Sequence, residues 1–180
     1  AIDVAGDWAE VDEPRDIAHF VLGTKAETLS RLQGMVSGAL IQNQVSFTVS
    51  QWREEPDSWI ARIRERFAGK RVVVRSSAIN EDSFSTANAG AYTSLLDVDP
   101  DTGLKEAVER VISSYRDVCS GRDQILVQPM LSDVTLSGVA FTRTLNWAAP
   151  WYVINYETKG DTEEITSGSS KEHQTLMIRR

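Results

Sequence analysis

Three consecutive valines, Val72-Val73-Val74, bounded by Gly69 upstream and by Ser76 downstream, constrain this chain more than any other stretch. The run is too short for a helix between those breakers, and β-branched side chains favour extended backbone, so it is predicted to be a buried strand over Arg71 to Arg75. It ends abruptly in an arginine and two hydroxyls, Arg75-Ser76-Ser77. A chain built around such a strand needs partner strands and covering helices, and the flanking patterns supply both.

Thr24 with Glu27 forms a capping-box pattern ahead of Ala26, Leu29, Leu32 and Val36, which predicts a helix over about Lys25 to Val36. Val45, Phe47 and Val49 alternate with polar residues, as in a half-buried strand. Pro56 and Asp57 then open a helix with Trp59, Ile60, Ile63 and Phe67 on one face and Gly69 placed to end it. From Ser77 to Gly90 the chain is nearly free of large apolar residues and reads as a mobile loop. Strand character returns over Ala91 to Val98. Asp101 or Thr102 is positioned to cap a helix whose stripe is Leu104, Ala107, Val108, Val111, Ile112 and Tyr115. Strands are expected over Gln124 to Leu131, Leu136 to Arg143, Trp151 to Tyr156 and His173 to Ile178, with Pro129 either ending the first or placing it at an edge. The fold class is therefore α+β (mixed α/β), with a mostly antiparallel sheet and helices packed on one side.

Composition narrows the function classes. At 180 residues the chain holds one domain or two small lobes, not two independent enzymes. A net charge of -7 argues against a nucleic-acid surface, which needs clustered Lys and Arg. No apolar run approaches a membrane span, and the acidic start (Asp3, Asp7, Glu10, Asp12, Glu13, Asp16) is the reverse of a signal peptide, so a soluble, cytoplasmic chain is expected. One cysteine, Cys119, and two histidines, His19 and His173, are too few for a disulfide or a His/Cys metal centre.

The candidate chemistry concerns anions. Arg75 at a strand end has the planar, permanently charged fork that suits phosphate, with hydroxyls and backbone N–H groups beside it to complete a cradle; the alternative is an ion pair with Glu81 or Asp82. Lys25 sits in the first turn of a helix, where the macrodipole disfavours a cation unless an anion is bound, so helix N-terminus and ammonium could together face a phosphate; the alternative is a solvated lysine. Gly90 permits close backbone approach to a ligand or acts as a plain hinge. Gln128, within an apolar strand, has an amide able to read an adenine edge or a ribose, or else faces solvent. Trp147 and Trp151 read as packing anchors. No Gly-x-x-x-x-Gly-Lys-Ser/Thr stretch is present, so a P-loop is excluded by motif.

Taken together, these pieces resemble the N-terminal ATP-grasp-type domain of phosphoenolpyruvate synthase, pyruvate phosphate dikinase and rifampin phosphotransferase. Leu22-Gly23-Thr24-Lys25-Ala26-Glu27-Thr28-Leu29 resembles that family's Gly-x-Lys-x-x-x-Leu turn. Val73-Val74-Arg75-Ser76-Ser77-Ala78-Ile79-Asn80-Glu81-Asp82, followed by Ala89-Gly90, resembles its Val-Arg-Ser-Ser-Ala-x-x-Glu-Asp loop. Val127-Gln128-Pro129-Met130 and Ser137-Gly138-Val139-Ala140-Phe141-Thr142-Arg143 resemble its Val-Gln-x-Met and Ser-Gly-Val-x-Phe-Thr strands. The likeness runs over roughly Leu22 to Gly168. It implies an acidic extension over residues 1–21 and, over 22–180, the N-terminal part of an ATP-binding domain from a longer enzyme.

Carried over by position, the resemblance implies ATP-phosphate contacts from Lys25 and Arg75, with Arg75 also the catalytic candidate. It further implies loop contacts from Gly90, with Ser94 where a threonine is usual, and a nucleotide contact from Gln128. The family commonly has Gln where this chain has Ala91, and its Gly-x-Gly-Glu region is altered here to Lys159-Gly160-Asp161-Thr162-Glu163. Its metal-binding carboxylates, phosphohistidine domain and acceptor-binding domain lie beyond the matched strands. Mg2+ is therefore expected to be held by residues outside this chain, and the chain alone to be inactive. Glu163 and Glu164 carry no metal assignment. The competing expectation is a non-catalytic nucleotide-sensing or protein-interaction module with the same fold.

Overall fold

The computed structural model describes residues 23–78, 82–83, 86–87, 92–115, 121–158 and 174–180. The chain divides into two compact units, Ala1–Met130 and Leu131–Arg180. The first contains α1 (Lys25–Gln33), β1 (Val45–Thr48), α2 (Val49–Glu54), α3 (Pro56–Arg66), β2 (Val72–Ser77), β3 (Asp82–Ser83), β4 (Thr86–Ala87), β5 (Ser94–Val98), α4 (Leu104–Ser114) and β6 (Gln124–Pro129). The second contains β7 (Ser137–Phe141), β8 (Trp151–Glu157) and β9 (Gln174–Arg179). No helix among the described residues is long and apolar enough to cross a membrane.

The mixed α+β class and antiparallel pairing are as the sequence indicates. The first unit holds a four-stranded sheet in the order β1-β6-β2-β5, with every pairing antiparallel. β2, the valine strand, lies inside the sheet, with β6 on one side and β5 on the other. Pro129 ends β6 rather than placing it at an edge, since β6 runs between β1 and β2 and the missing N–H falls at its last residue.

Because side chains alternate along a strand, register sorts the sheet into two faces. Val45 and Phe47 of β1, Ile125 and Val127 of β6, and Val72 and Val74 of β2 share one face, where they join a single hydrophobic cluster. That cluster takes in Val49 and Trp52 of α2, Ile60 and Ile63 of α3 with Phe67 after it, and Leu104, Ala107, Val108, Val111 and Ile112 of α4 with Tyr115. Burying each of the larger apolar side chains contributes about 1.5–3 kcal/mol. Phe47 is the aromatic pivot, its ring 5.4 Å from that of Trp52 and 5.0 Å from that of Trp59. Trp52 satisfies its indole by donating to Glu109 Oε1 at 2.7 Å, which ties α2 to α4.

Three helices thus occupy one face, in line with the expectation, while α1 bonds to residues of the other. Local differences from the sequence reading have simple causes. Thr48 Oγ1 accepts from Gln51 N at 3.1 Å and Thr48 N donates to Gln51 Oε1 at 2.8 Å, a second capping box that turns the chain into α2 at Val49, where continued strand was expected. α1 stops at Gln33, because Gly34 forms its C-cap. Neither Asp101 nor Thr102 caps α4: its N-cap is Gly103, with no side-chain bond, and the Gly103 N–H closes a turn on Asp99 O at 2.9 Å. Gly69 has φ +72° just beyond α3, a conformation that suits glycine and lets the chain reverse toward β2.

In the second unit, β7, β8 and β9 form an antiparallel sheet in sequence order. Trp147 is 86% exposed and Trp151 36%, so neither is the packing anchor expected from the sequence; they flank the turn at Pro150 that leads into β8.

Candidate functional site

The sheet face opposite the aromatic cluster is polar where the sequence places its candidate residues. By register it carries Val73, Arg75 and Ser77 from β2, Gln124, Leu126 and Gln128 from β6, and Ser94 from β5. Arg75 is directly opposite Ser94 on one side and Leu126 on the other. Gln128 lies two residues along β6 from Leu126, a diagonal neighbour of Arg75 at about 7–8 Å between backbones. Three candidates that are far apart in sequence therefore share one patch of one face.

Lys25 reaches this patch from above. A polar lattice fixes the first turn of α1 on the sheet. Ala26 N donates to Ser77 Oγ at 2.9 Å, Thr24 Oγ1 donates to Gln124 Oε1 at 2.8 Å, and Gln124 Nε2 donates to Glu27 Oε1 at 2.9 Å. The capping box is complete, with Thr24 N donating to Glu27 Oε2 at 2.8 Å and Glu27 N to Thr24 Oγ1 at 3.3 Å. Lys25 Nζ then donates to Ser76 O at 3.5 Å, beside Arg75 in the strand.

This arrangement needs glycine at position 23. Its φ is +71°, and a Cβ there would stand 2.2 Å from Glu27 Oε2, inside the capping carboxylate. The glycine of the Gly-x-Lys turn is thus explained by the cap, independently of any ligand.

Two sequence expectations change. The helix N-terminus is not an open anion cradle, because the Ala26 and Glu27 N–H groups are bonded within the protein and Glu27 already places a carboxylate in the first turn. Ser77 does not complete a phosphate cradle either, since its fully buried hydroxyl holds Ala26.

Arg75 is half-buried and forms no ion pair or side-chain hydrogen bond among the described residues. Other arginines of the same unit behave differently. Arg64 lies 3.4 Å from Asp101, and Arg71 lies 2.8 Å from Asp97 and 3.4 Å from Asp99. The hydrogen bond that Arg71 donates to Asp97 holds the Arg71 guanidinium above its ordinary pKa. Arg75 thus contributes positive charge to its face, where a guanidinium fork binds phosphate in preference to neutral groups. Gln128 is only 8% exposed, contrary to the solvent-facing alternative, and its amide has no hydrogen bond among the described residues. Ser94 is exposed.

Gly90, Glu81, the side chain of Asp82, Ala91, the segment Lys159 to Glu163, and Glu164 lie outside what the structure describes. Among the described residues no group of three or more His, Cys, Asp or Glu could hold a metal ion.

Residues 24–118 match the family described as pyruvate phosphate dikinase, AMP/ATP-binding domain. The chain belongs to that family. The matched stretch of the AMP/ATP-binding domain covers the capped helix α1, the valine strand β2 and its partner β5, and so includes Lys25, Arg75, Gly90 and Ser94, while Gln128 lies beyond it. A nucleotide is accordingly the ligand class of this pyruvate phosphate dikinase-type domain. No curated protein matches the chain.

Sequence reasoning missed Gln124 and Gln44. Gln124 bonds two residues of α1, and Gln44 Nε2 donates to Ala26 O at 2.7 Å. A polar residue at the half-buried start of β6 was the only signal for Gln124, and Gln44 precedes a strand in a polar segment.

Proposed function

We propose that the polar face of the β1-β6-β2-β5 sheet holds ATP, with Lys25 and Arg75 on the phosphates, Ser94 and the Gly90 loop beside them, and Gln128 toward the nucleoside. The observation that carries this reading is Arg75: a half-buried guanidinium without a carboxylate partner among the described side chains, directly across from Ser94. Two cations suit a polyphosphate because its negative charge is spread over several oxygens, and preorganised donors lower the cost of gathering that charge.

The wider reading is a phosphoenolpyruvate synthase-like phosphotransferase with an ATP-grasp-like domain over residues 22–180. In it, a histidine nitrogen on a separate domain attacks a phosphorus of ATP. The bond from that phosphorus to the bridging oxygen breaks, and the leaving nucleotide keeps the electron pair. The phosphoryl group then passes to pyruvate or another acceptor. Arg75 and Lys25 would stabilise charge on the transferring group, and the carboxylates that hold Mg2+ would come from other residues of the enzyme.

The test is transfer of 32P from ATP, labelled in separate experiments at the β- and at the γ-phosphorus, to a phosphohistidine domain of this enzyme class supplied in trans. Label on the histidine that disappears with Arg75→Ala supports the phosphotransferase. Nucleotide binding without transfer to any such domain would instead make the chain a nucleotide sensor.

A further inference from the structure

One buried acceptor on the polar face has no partner. Gln44 Oε1 is closed to solvent and makes no hydrogen bond among the described residues. Its orientation is fixed, because Nε2 donates at 2.7 Å to Ala26 O, an atom that can only accept. Rotating the amide would set oxygen against oxygen. Gln44 therefore has an acceptor to offer and no choice in the matter.

Register places residue 44 beside Gln128. Val45 pairs with Val127, so the pairing carried one residue further sets Gln44 opposite Gln128, on the face of Arg75 and not on the face of the aromatic cluster. Gln128 is itself only 8% exposed as a residue, and its amide has no hydrogen bond among the described residues. Two amides on neighbouring strand positions, one pinned as an acceptor and one able to present its N–H, match an edge on which an amino donor neighbours a ring acceptor. The 6-amino group and N1 of adenine form such an edge. A 6-oxopurine inverts it, with O6 as acceptor and N1–H as donor. Gln128 can turn to suit either; Gln44 cannot.

We propose that Gln44 is the specificity-determining residue for the base, accepting from the 6-amino group of adenine and rejecting 6-oxopurines. The proposal rests on the reading of this face as the ATP site. An unsolvated, unbonded acceptor is costly, and a ligand N–H recovers that cost while a ligand carbonyl adds to it. A purine entering over Gln128 displaces only an amide that the described chain does not hold.

The experiment is calorimetric titration of the chain and of Gln44→Leu with ATP, ITP and inorganic tripolyphosphate. The wild type is expected to bind ATP about ten- to a hundredfold more tightly than ITP. Gln44→Leu should lose about tenfold in ATP affinity and bring the ATP-to-ITP ratio close to one. Tripolyphosphate should bind both forms equally, which also shows that the variant is folded. A wild type that does not distinguish ATP from ITP, or a Gln44→Leu variant that keeps the distinction, overturns the proposal while leaving the phosphate site standing; the orphan acceptor would then hold a structural water only. Failure of the wild type to bind both ATP and tripolyphosphate removes the ATP site itself, and the proposal with it.

Discussion

Arg75 and Ser94 stand directly opposite each other across β2 and β5, on the sheet face turned away from the aromatic cluster. Nineteen positions of sequence separate them, yet antiparallel pairing brings their Cβ atoms to about 4.5–5.5 Å. Lys25 joins them because the Lys25 ammonium bonds the carbonyl of Ser76, the residue after Arg75. A charged fork, a hydroxyl and a flexible ammonium are thereby gathered by backbone pairing and one capped helix.

Arg75→Lys separates charge from geometry. Lysine keeps the charge but loses the fork, so ATP affinity should fall by about tenfold, against a larger loss for Arg75→Ala. Stability should stay within about 0.5 kcal/mol in both, since Arg75 has no ion pair among the described residues to lose. Chemical denaturation beside calorimetry checks the two halves of this expectation.

Gly23→Ala addresses the capped turn. The new Cβ would displace the Glu27 carboxylate, and φ +71° costs a non-glycine residue about 1–2 kcal/mol, with loss of the cap adding about 0.5–2 kcal/mol. A fall in the unfolding midpoint is expected, together with weaker ATP binding as Lys25 loses its placement. Unchanged stability would show that the turn tolerates a side chain.

Ser77→Ala tests the attachment of α1. It leaves the Ala26 N–H buried without its acceptor, at a cost of about 1–3 kcal/mol. Ser77→Cys, of similar size and with a weak sulfur acceptor, should recover part of that loss. Equal stability of the two variants would show that the hydroxyl is not what holds α1.

Phe47→Ala tests the other face. Removing the ring that contacts both Trp52 and Trp59 should cost about 3–5 kcal/mol. Its effect on nucleotide affinity should be small once the protein is held below its new midpoint, because Phe47 points away from Arg75. A large affinity loss in folded protein would mean that the two faces are not independent.

Much of the fold was legible because its signals are local. The valine run, the stripe from Leu104 to Ile112 and the Thr24–Glu27 box each state an element within a few residues, and each forms. The helix α2 was hidden by the alternation of Val45, Phe47 and Val49, which mimics a longer strand; the Thr48–Gln51 box that ends it was present in the sequence but outweighed by that pattern. The site was legible as residue types at strand ends and helix starts, namely Arg75, Lys25 and Gln128. What no local pattern could give was the commitment of partners. Ser77 reads as a ligand hydroxyl until Ala26 is seen to bind it, and Gln124 and Gln44 acquire roles only once α1 is set on the sheet.

The most direct measurement is isothermal titration of ATP, with and without Mg2+, into the chain and into Arg75→Ala. Saturable binding to the wild type that weakens by about ten- to a hundredfold in Arg75→Ala is the expected result. No binding to a folded wild type, or equal affinity in the two proteins, would contradict the assignment of this face to the phosphates of a nucleotide.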